Sequence, residues 1–258
     1  MTGPSWVGTS WKMTKTLAEA RAFVDELSAH QLPENVQPFV LPPHTALAAV
    51  HDRLPADSPV LLGAQNAHWG PEGEATGEIS MGMAADAGAA LVEIGHSERR
   101  AQFGDTDEAV SRKVAAAVAT GLIPLICVGE PWSVRGAGQA DAYMEAQLIS
   151  ALSRLAPEEI GRVLVAYEPV WAIGSAGRPA TVDQIAPVIE QIRAVVGQRS
   201  AGGSAQAVLY GGSVDQVNAA SILAVAGVDG LFVGRAAWSA SGFLELLKIA
   251  AARDCVHI

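Results

Sequence analysis

Short apolar runs recur along the chain, and amphipathic stretches fill the intervals between them. Residues 6–9, 37–41, 60–64, 91–94, 123–128, 163–167, 207–210 and 230–233 each read as a strand buried on both faces. Helical periodicity lies between them. Thr16 and Glu19 have capping-box spacing before a helix to about Ala29, and His44 leads a helix to about Leu54. A short helix begins near Met81, and Asp105 with Glu108 opens a longer one to about Thr120. Another spans about Gln139 to Leu152. Thr181 and Gln184 cap a helix whose Ile185, Val188, Ile189, Ile192 and Val196 share one face. Ser213 and Gln216 form a third such pair, before a helix to about Ala224, and a last helix runs to about Arg253. Strands that alternate with helices predict a parallel sheet with helical crossovers. A single closed (β/α)8 barrel over residues 1–258 accounts for the number and length of the strands better than an open sheet.

Composition narrows the function classes. Half of the 258 residues are hydrophobic and the formal net charge is −10, which argues against nucleic acid or an anionic membrane as partner. No apolar run is long enough to span a bilayer, and the N-terminus lacks the look of a signal peptide. Cys127 lies in an apolar run, so the two cysteines predict no disulfide framework, and a reducing cytoplasm fits. No His, Cys and carboxylate cluster has metal-ligand spacing, so no metal is expected. His30, His51 and His257 look peripheral, and His44 and His68 sit in loops without an assigned role.

The chemistry gathers behind the strands. Lys12, His96, Glu168, Ser213 and Gly234 each follow one, and in a closed barrel those positions share the rim where active sites of the fold are built. Residues 163–174 are the most informative stretch: an apolar strand, then Glu168, then the stiff apolar loop Pro169, Val170, Trp171, Ala172, Ile173 and Gly174. An apolar loop beside a strand-end carboxylate has the makings of a lid that shuts water out. The long loop of residues 67–80, carrying Trp69 and Thr76, is the other segment of a length that points to function.

Seven motifs then stand in order, each behind a strand or in a long loop: GTSWKM at Gly8, AQN at Ala64, TGEIS at Thr76, GHSERR at Gly95, CVGE at Cys127, YEPVWAIG at Tyr167 and YGGSV at Tyr210. With these the chain resembles the triosephosphate isomerase family from end to end. The resemblance implies an aldose–ketose isomerase acting on a small sugar phosphate with neither metal nor organic cofactor. By the same resemblance Glu168 is the base, His96 the neutral electrophile at the carbonyl, and Lys12 the cation that stabilises phosphate and enediolate. Glu98 supports Lys12 and His96, while Arg99 and Arg100 are equally readable as surface ion pairs. Backbone N–H groups of Gly174, Ser213, Gly234 and Arg235 are expected to hold the phosphate. The 67–80 loop is expected to dock into a second subunit, with Trp69 and Thr76 in a homodimer contact.

Three departures from the family pattern surround the substrate rather than the base or electrophile. Ser10 stands where the family has Asn, Arg235 where it has a second glycine, and Ser175-Ala176-Gly177-Arg178-Pro179 where the lid ends differently. Pro179 has no N–H with which to latch Tyr210. Serine is shorter than asparagine and leaves room for one more hydroxymethyl group. GTSWKM and VGRAAW also resemble relatives that isomerise L-erythrulose 1-phosphate, which implies conversion to D-erythrulose 4-phosphate. The alternatives are an ordinary triosephosphate isomerase and a non-catalytic phosphate-binding barrel.

Overall fold

The computed structural model describes residues 3–174 and 177–253. Eight parallel strands form a closed barrel in chain order. They are β1 (Ser5–Ser10), β2 (Val36–Leu41), β3 (Leu61–Ala64), β4 (Leu91–Ile94), β5 (Ile123–Val128), β6 (Leu164–Tyr167), β7 (Ala207–Tyr210) and β8 (Gly230–Val233). β1 pairs with β2 from Ser5↔Val36 to Ser10↔Leu41 and with β8 from Trp6↔Gly230 to Thr9↔Val233, which closes the sheet. Every strand boundary lies within one residue of its expected place.

The two-residue side-chain period sorts each strand between two cores. Trp6, Phe39, Leu91, Leu125, Leu164 and Phe232 fill the barrel interior. Val7, Val40, Val92, Ile126, Val165 and Val233 face the surrounding helices. Gly8 belongs to the inward set, and the Phe39 ring occupies the space its side chain would need, 1.9 Å from where a Cβ would sit.

Local chemistry explains where most helices start and stop. Thr16 and Glu19 form the expected capping box on Leu17–Ser28. The Thr181 N–H donates to Gln184 Oε1 at 3.0 Å at the head of Val182–Arg199, whose five predicted stripe residues are all buried. Ser80 caps Met81–Asp86, and the last helix is Ala240–Ala251. The helix at His44 is shorter than expected, ending at His51.

Two expectations are corrected. Asp105 does not open a helix: Thr106 caps Asp107–Thr120, and Asp105 instead accepts from Lys113 Nζ at 2.8 Å and Arg99 Nε at 3.0 Å. Ser213 and Gln216 form no capping box. Ser213 Oγ donates to the Ala172 carbonyl, Asp215 and Asn218 shape the turn through each other's backbone, and the helix is only Ala219–Leu223. Two short helices were not anticipated, Ser97–Phe103 and Trp132–Gly136. Ser175 and Ala176 of the lid, together with Cys255 and His257, lie outside the described residues. Among the described residues no helix is long and apolar enough to cross a membrane.

Candidate active site

At the C-terminal rim of the barrel one cavity of about 480 Å³ opens. Ser10, Lys12, His96, Glu98 and Glu168 line it, and so do Gly174, Ser213, Gly234 and Arg235. The nine residues expected at the substrate thus meet in one place, though they come from β1, β4, β6, β7, β8 and the loops behind them.

His96 ends the β4 segment and caps the helix Ser97–Phe103. Its Nδ1 accepts the Glu98 backbone N–H at 3.1 Å. A ring nitrogen that accepts carries no proton, so this bond selects the tautomer with hydrogen on Nε2. That Nε2 faces Glu168 Oε2 at 3.6 Å, inside the cavity. Glu168 is held by its own backbone, the N–H donating to Val128 O at 2.8 Å, while Oε2 is buried without a hydrogen-bond partner among the described residues. Gly211 lets this happen: a Cβ there would lie 2.9 Å from Glu168 Cγ. The arrangement leaves one carboxylate oxygen free to take a proton beside an imidazole N–H that can donate one.

Lys12 sits just past β1 with φ at +52°, a left-handed conformation unusual for a side-chain-bearing residue. Its Nζ donates to Glu98 Oε1 at 2.6 Å. Burial works to lower its pKa, but the Glu98 hydrogen bond and the negative charges of Glu98, Glu168 and Glu93 outweigh it and leave the pKa raised. The ammonium is therefore a permanent positive charge at the mouth of the barrel. Arg99 and Arg100 turn away from this group. Arg99 binds Asp105, and Arg100 donates to the Gly95 carbonyl and to Asp107, so both act as structural ion pairs.

The loop after β6 begins on a buried anchor. Glu130, fully buried, accepts from Trp171 Nε1 at 2.8 Å, from Arg135 Nη1 at 3.0 Å and from the Tyr167 hydroxyl at 3.2 Å. Arg235 is exposed and its Nη2 donates to the carbonyl of Gly174 at 3.0 Å, so its side chain ties the loop after β6 to the loop after β8. Pro179 indeed offers Tyr210 no N–H. Burial raises the Tyr210 pKa and the nearby Ala180 amide pulls against that, yet among the described residues the hydroxyl completes no hydrogen bond. In the 67–80 loop Trp69 stacks on His68 with centroids 4.2 Å apart, and Thr76 is exposed outside the cavity. Cys127 is buried inside the barrel, as expected for a core residue. Among the described residues no group of three or more His, Cys, Asp or Glu is placed to hold a metal ion.

Sequence reasoning missed Glu93. It lies on β4 with its carboxyl inside the barrel, 3% exposed, and accepts from Ser10 Oγ at 2.9 Å. Burial pushes its pKa up to about 7, helped by Glu168 and opposed by His96, Ser10 and Lys12. The signal was present: one acidic letter at an inward position of the otherwise apolar LVEI.

Comparison with known proteins agrees with this geometry. The profile described as Triosephosphate isomerase matches residues 5–250. An L-erythrulose-1-phosphate isomerase of Mycolicibacterium smegmatis is 50% identical over 250 residues, covering 96% of this chain and 93% of the relative. The protein of that name from Mesorhizobium japonicum is 49% identical, covering 96% and 97%. That from Rhizobium meliloti is 48% identical, covering 94% and 95%. A closed eight-stranded barrel, a carboxylate and an imidazole facing each other over its rim, and a profile match along nearly the whole length lead to one conclusion: the chain belongs to the triosephosphate isomerase family and is a sugar-phosphate isomerase.

Proposed function

We propose that the protein interconverts L-erythrulose 1-phosphate and D-erythrulose 4-phosphate through an enediolate. What carries the reading is the reacting end of the cavity. Glu168, His96 and Lys12 meet there beside Ser10, a side chain short enough to leave room for a hydroxymethyl group. Relatives about half identical to this chain bear the name L-erythrulose-1-phosphate isomerase.

The chemistry runs on this chain's residues. Glu168 takes the proton from C3 of the ketose, and the electron pair left behind forms the C2–C3 double bond. His96 donates from Nε2 to the C2 oxygen, and Lys12 stabilises the negative charge as it develops. The protonated Glu168 then delivers its proton to C2 while the C3 hydroxyl returns a proton to His96 Nε2, which places the carbonyl at C3 and restores both side chains. Renumbered from the other end, that product is the 4-phosphate. Glu98 keeps Lys12 in place. The phosphate is held by backbone N–H groups of Gly174, Ser213, Gly234 and Arg235, with the lid closing over it to exclude water. We assign the 67–80 loop, with Trp69 and Thr76, to a homodimer contact, the whole chain to one domain, and the enzyme to the cytoplasm, where it serves tetritol breakdown.

The test is kcat/KM for L-erythrulose 1-phosphate and for dihydroxyacetone phosphate, side by side on one preparation. A large preference for the four-carbon substrate is expected. A preference for the three-carbon one makes the enzyme a glycolytic triosephosphate isomerase. In deuterated water the enzyme should wash label into its substrate, and Glu168→Gln should abolish this. Full exchange in that variant refutes the base assignment.

A further inference from the structure

Glu93 is a carboxyl where the barrel interior otherwise holds Leu41, Leu91, Leu125, Cys127 and Phe232. Placing it there is costly, and the machinery of proton transfer described above makes no use of it. Among the described residues its hydrogen bond comes from Ser10 alone. Ser10 in turn lines the substrate cavity, and its backbone is pinned by Trp238 Nε1, which donates to the Ser10 carbonyl at 2.9 Å.

The direction of the Ser10–Glu93 bond decides what Ser10 can do. A serine hydroxyl has one proton and two lone pairs. Above about pH 7, where Glu93 is ionised, its carboxylate only accepts, so Ser10 directs its proton to Glu93. What remains for the cavity is lone pairs. Ser10 is thereby turned into an acceptor that asks for an O–H donor, with an anion behind it to strengthen the bond. Ser10 lines the cavity together with Lys12, His96 and Glu168, which sets the pair on the side of the reacting groups.

We infer that Ser10 and Glu93 form a two-residue relay that reads the terminal hydroxyl of the substrate's non-phosphorylated end: that hydroxyl donates to Ser10 Oγ, and Ser10 donates to Glu93. Glu93 is a positioning residue, because it acts through Ser10 and does not touch substrate. The inference rests on the four-carbon reading above and deepens it. In a three-carbon ketose phosphate a hydrogen atom stands where the hydroxymethyl group would, so the relay has nothing to receive.

The experiment measures kcat/KM at pH 8, where Glu93 is ionised, for L-erythrulose 1-phosphate and dihydroxyacetone phosphate with wild type, Ser10→Ala and Glu93→Gln. The quantity read is the ratio of the two substrates on one preparation, which does not depend on the fraction of protein that is folded. Losing a charge-assisted hydrogen bond should lower the four-carbon to three-carbon ratio about 30-fold in Ser10→Ala. Glu93→Gln, which keeps an acceptor but removes the charge, should lower it about fivefold. An unchanged ratio in both variants, with or without a parallel loss on both substrates, overturns the relay. A wild type that already prefers dihydroxyacetone phosphate overturns the four-carbon reading instead, and the relay with it. The wild-type ratio thus tells the two failures apart.

Discussion

Glu93→Gln should stabilise the protein, and by an amount that depends on pH. The folded-state pKa of Glu93 is raised from an ordinary 4.5 to about 7, with burial the largest cause. Below pH 4.5 the group is protonated folded and unfolded, and contributes no difference. Between 4.5 and 7 the folded protein retains a proton that the unfolded chain has released, so stability falls as pH rises. Above 7 both states are ionised and the full penalty of burying the charge is present. A shift of about 2.5 units corresponds to about 3 kcal/mol at 1.36 kcal/mol per unit. In a chain of this size that is a change in Tm of about 6 °C. Glutamine keeps an acceptor for Ser10 and cannot ionise, so it escapes the penalty. His96, Glu168 and Lys12, the titratable groups that act on Glu93, are present in both proteins. The assay is thermal unfolding of wild type and Glu93→Gln in buffers from pH 4.5 to 8. The gap between their Tm values should widen by about 6 °C across the range. A gap constant to within about 1 °C would refute the placement of an ionisable, charge-penalised carboxyl in the barrel.

Other expectations follow from single contacts. Gly8→Ala drives a methyl into the Phe39 ring, which is fully buried, stacked on Phe232 and edged by Trp6, so the ring has nowhere to go. Urea unfolding should show a loss of about 3 kcal/mol. Tyr210→Phe deletes a buried hydroxyl that completes no hydrogen bond among the described residues, with only the Ala180 amide pulling on it, and should change stability by less than about 1 kcal/mol, whereas Tyr167→Phe removes the hydrogen bond to Glu130 and should cost about 2 kcal/mol. Equal effects in the two variants would contradict the described bonding. Arg235→Ala unties the exposed link to Gly174, and Tm should move by less than about 1 °C while KM rises severalfold. A drop in stability with unchanged KM would place the arginine in the fold and not at the lid.

The strands were legible because each is a compact apolar run whose alternation serves two cores, and a closed barrel is the arrangement that buries both faces of eight such strands. The chemical residues were legible because they stand immediately behind those strands, where backbone direction alone brings them to one rim. What stayed hidden depends on contacts that sequence spacing does not carry. Ser10 and Glu93 are 83 residues apart, and only closure of the barrel makes them partners. Ser213 has the spacing of a helix cap to Gln216, but its hydroxyl finds the Ala172 carbonyl across the lid, and a distant acceptor overrides a local motif. Asp105 likewise reads as a helix start until Lys113 and Arg99 claim it. The helix Ser97–Phe103 escaped notice because it buries no residue, so no apolar stripe marks it.

Cys127 takes no part in the proposed reaction, and that makes it useful. Its thiol is fully enclosed in the barrel, and burial, with Glu168 and Glu93 adding to it, holds the thiol pKa well above its usual value. Alkylating reagents attack the thiolate, so the folded protein protects this sulfur twice, by access and by charge. With Cys255→Ser the chain carries a single thiol, and its labelling rate reports how often the strands part. An opening free energy of ~8 kcal/mol slows labelling about 10⁶-fold relative to a free cysteine. The sulfur beneath the site is thus a built-in gauge of barrel opening, readable by mass spectrometry without any added probe on the surface.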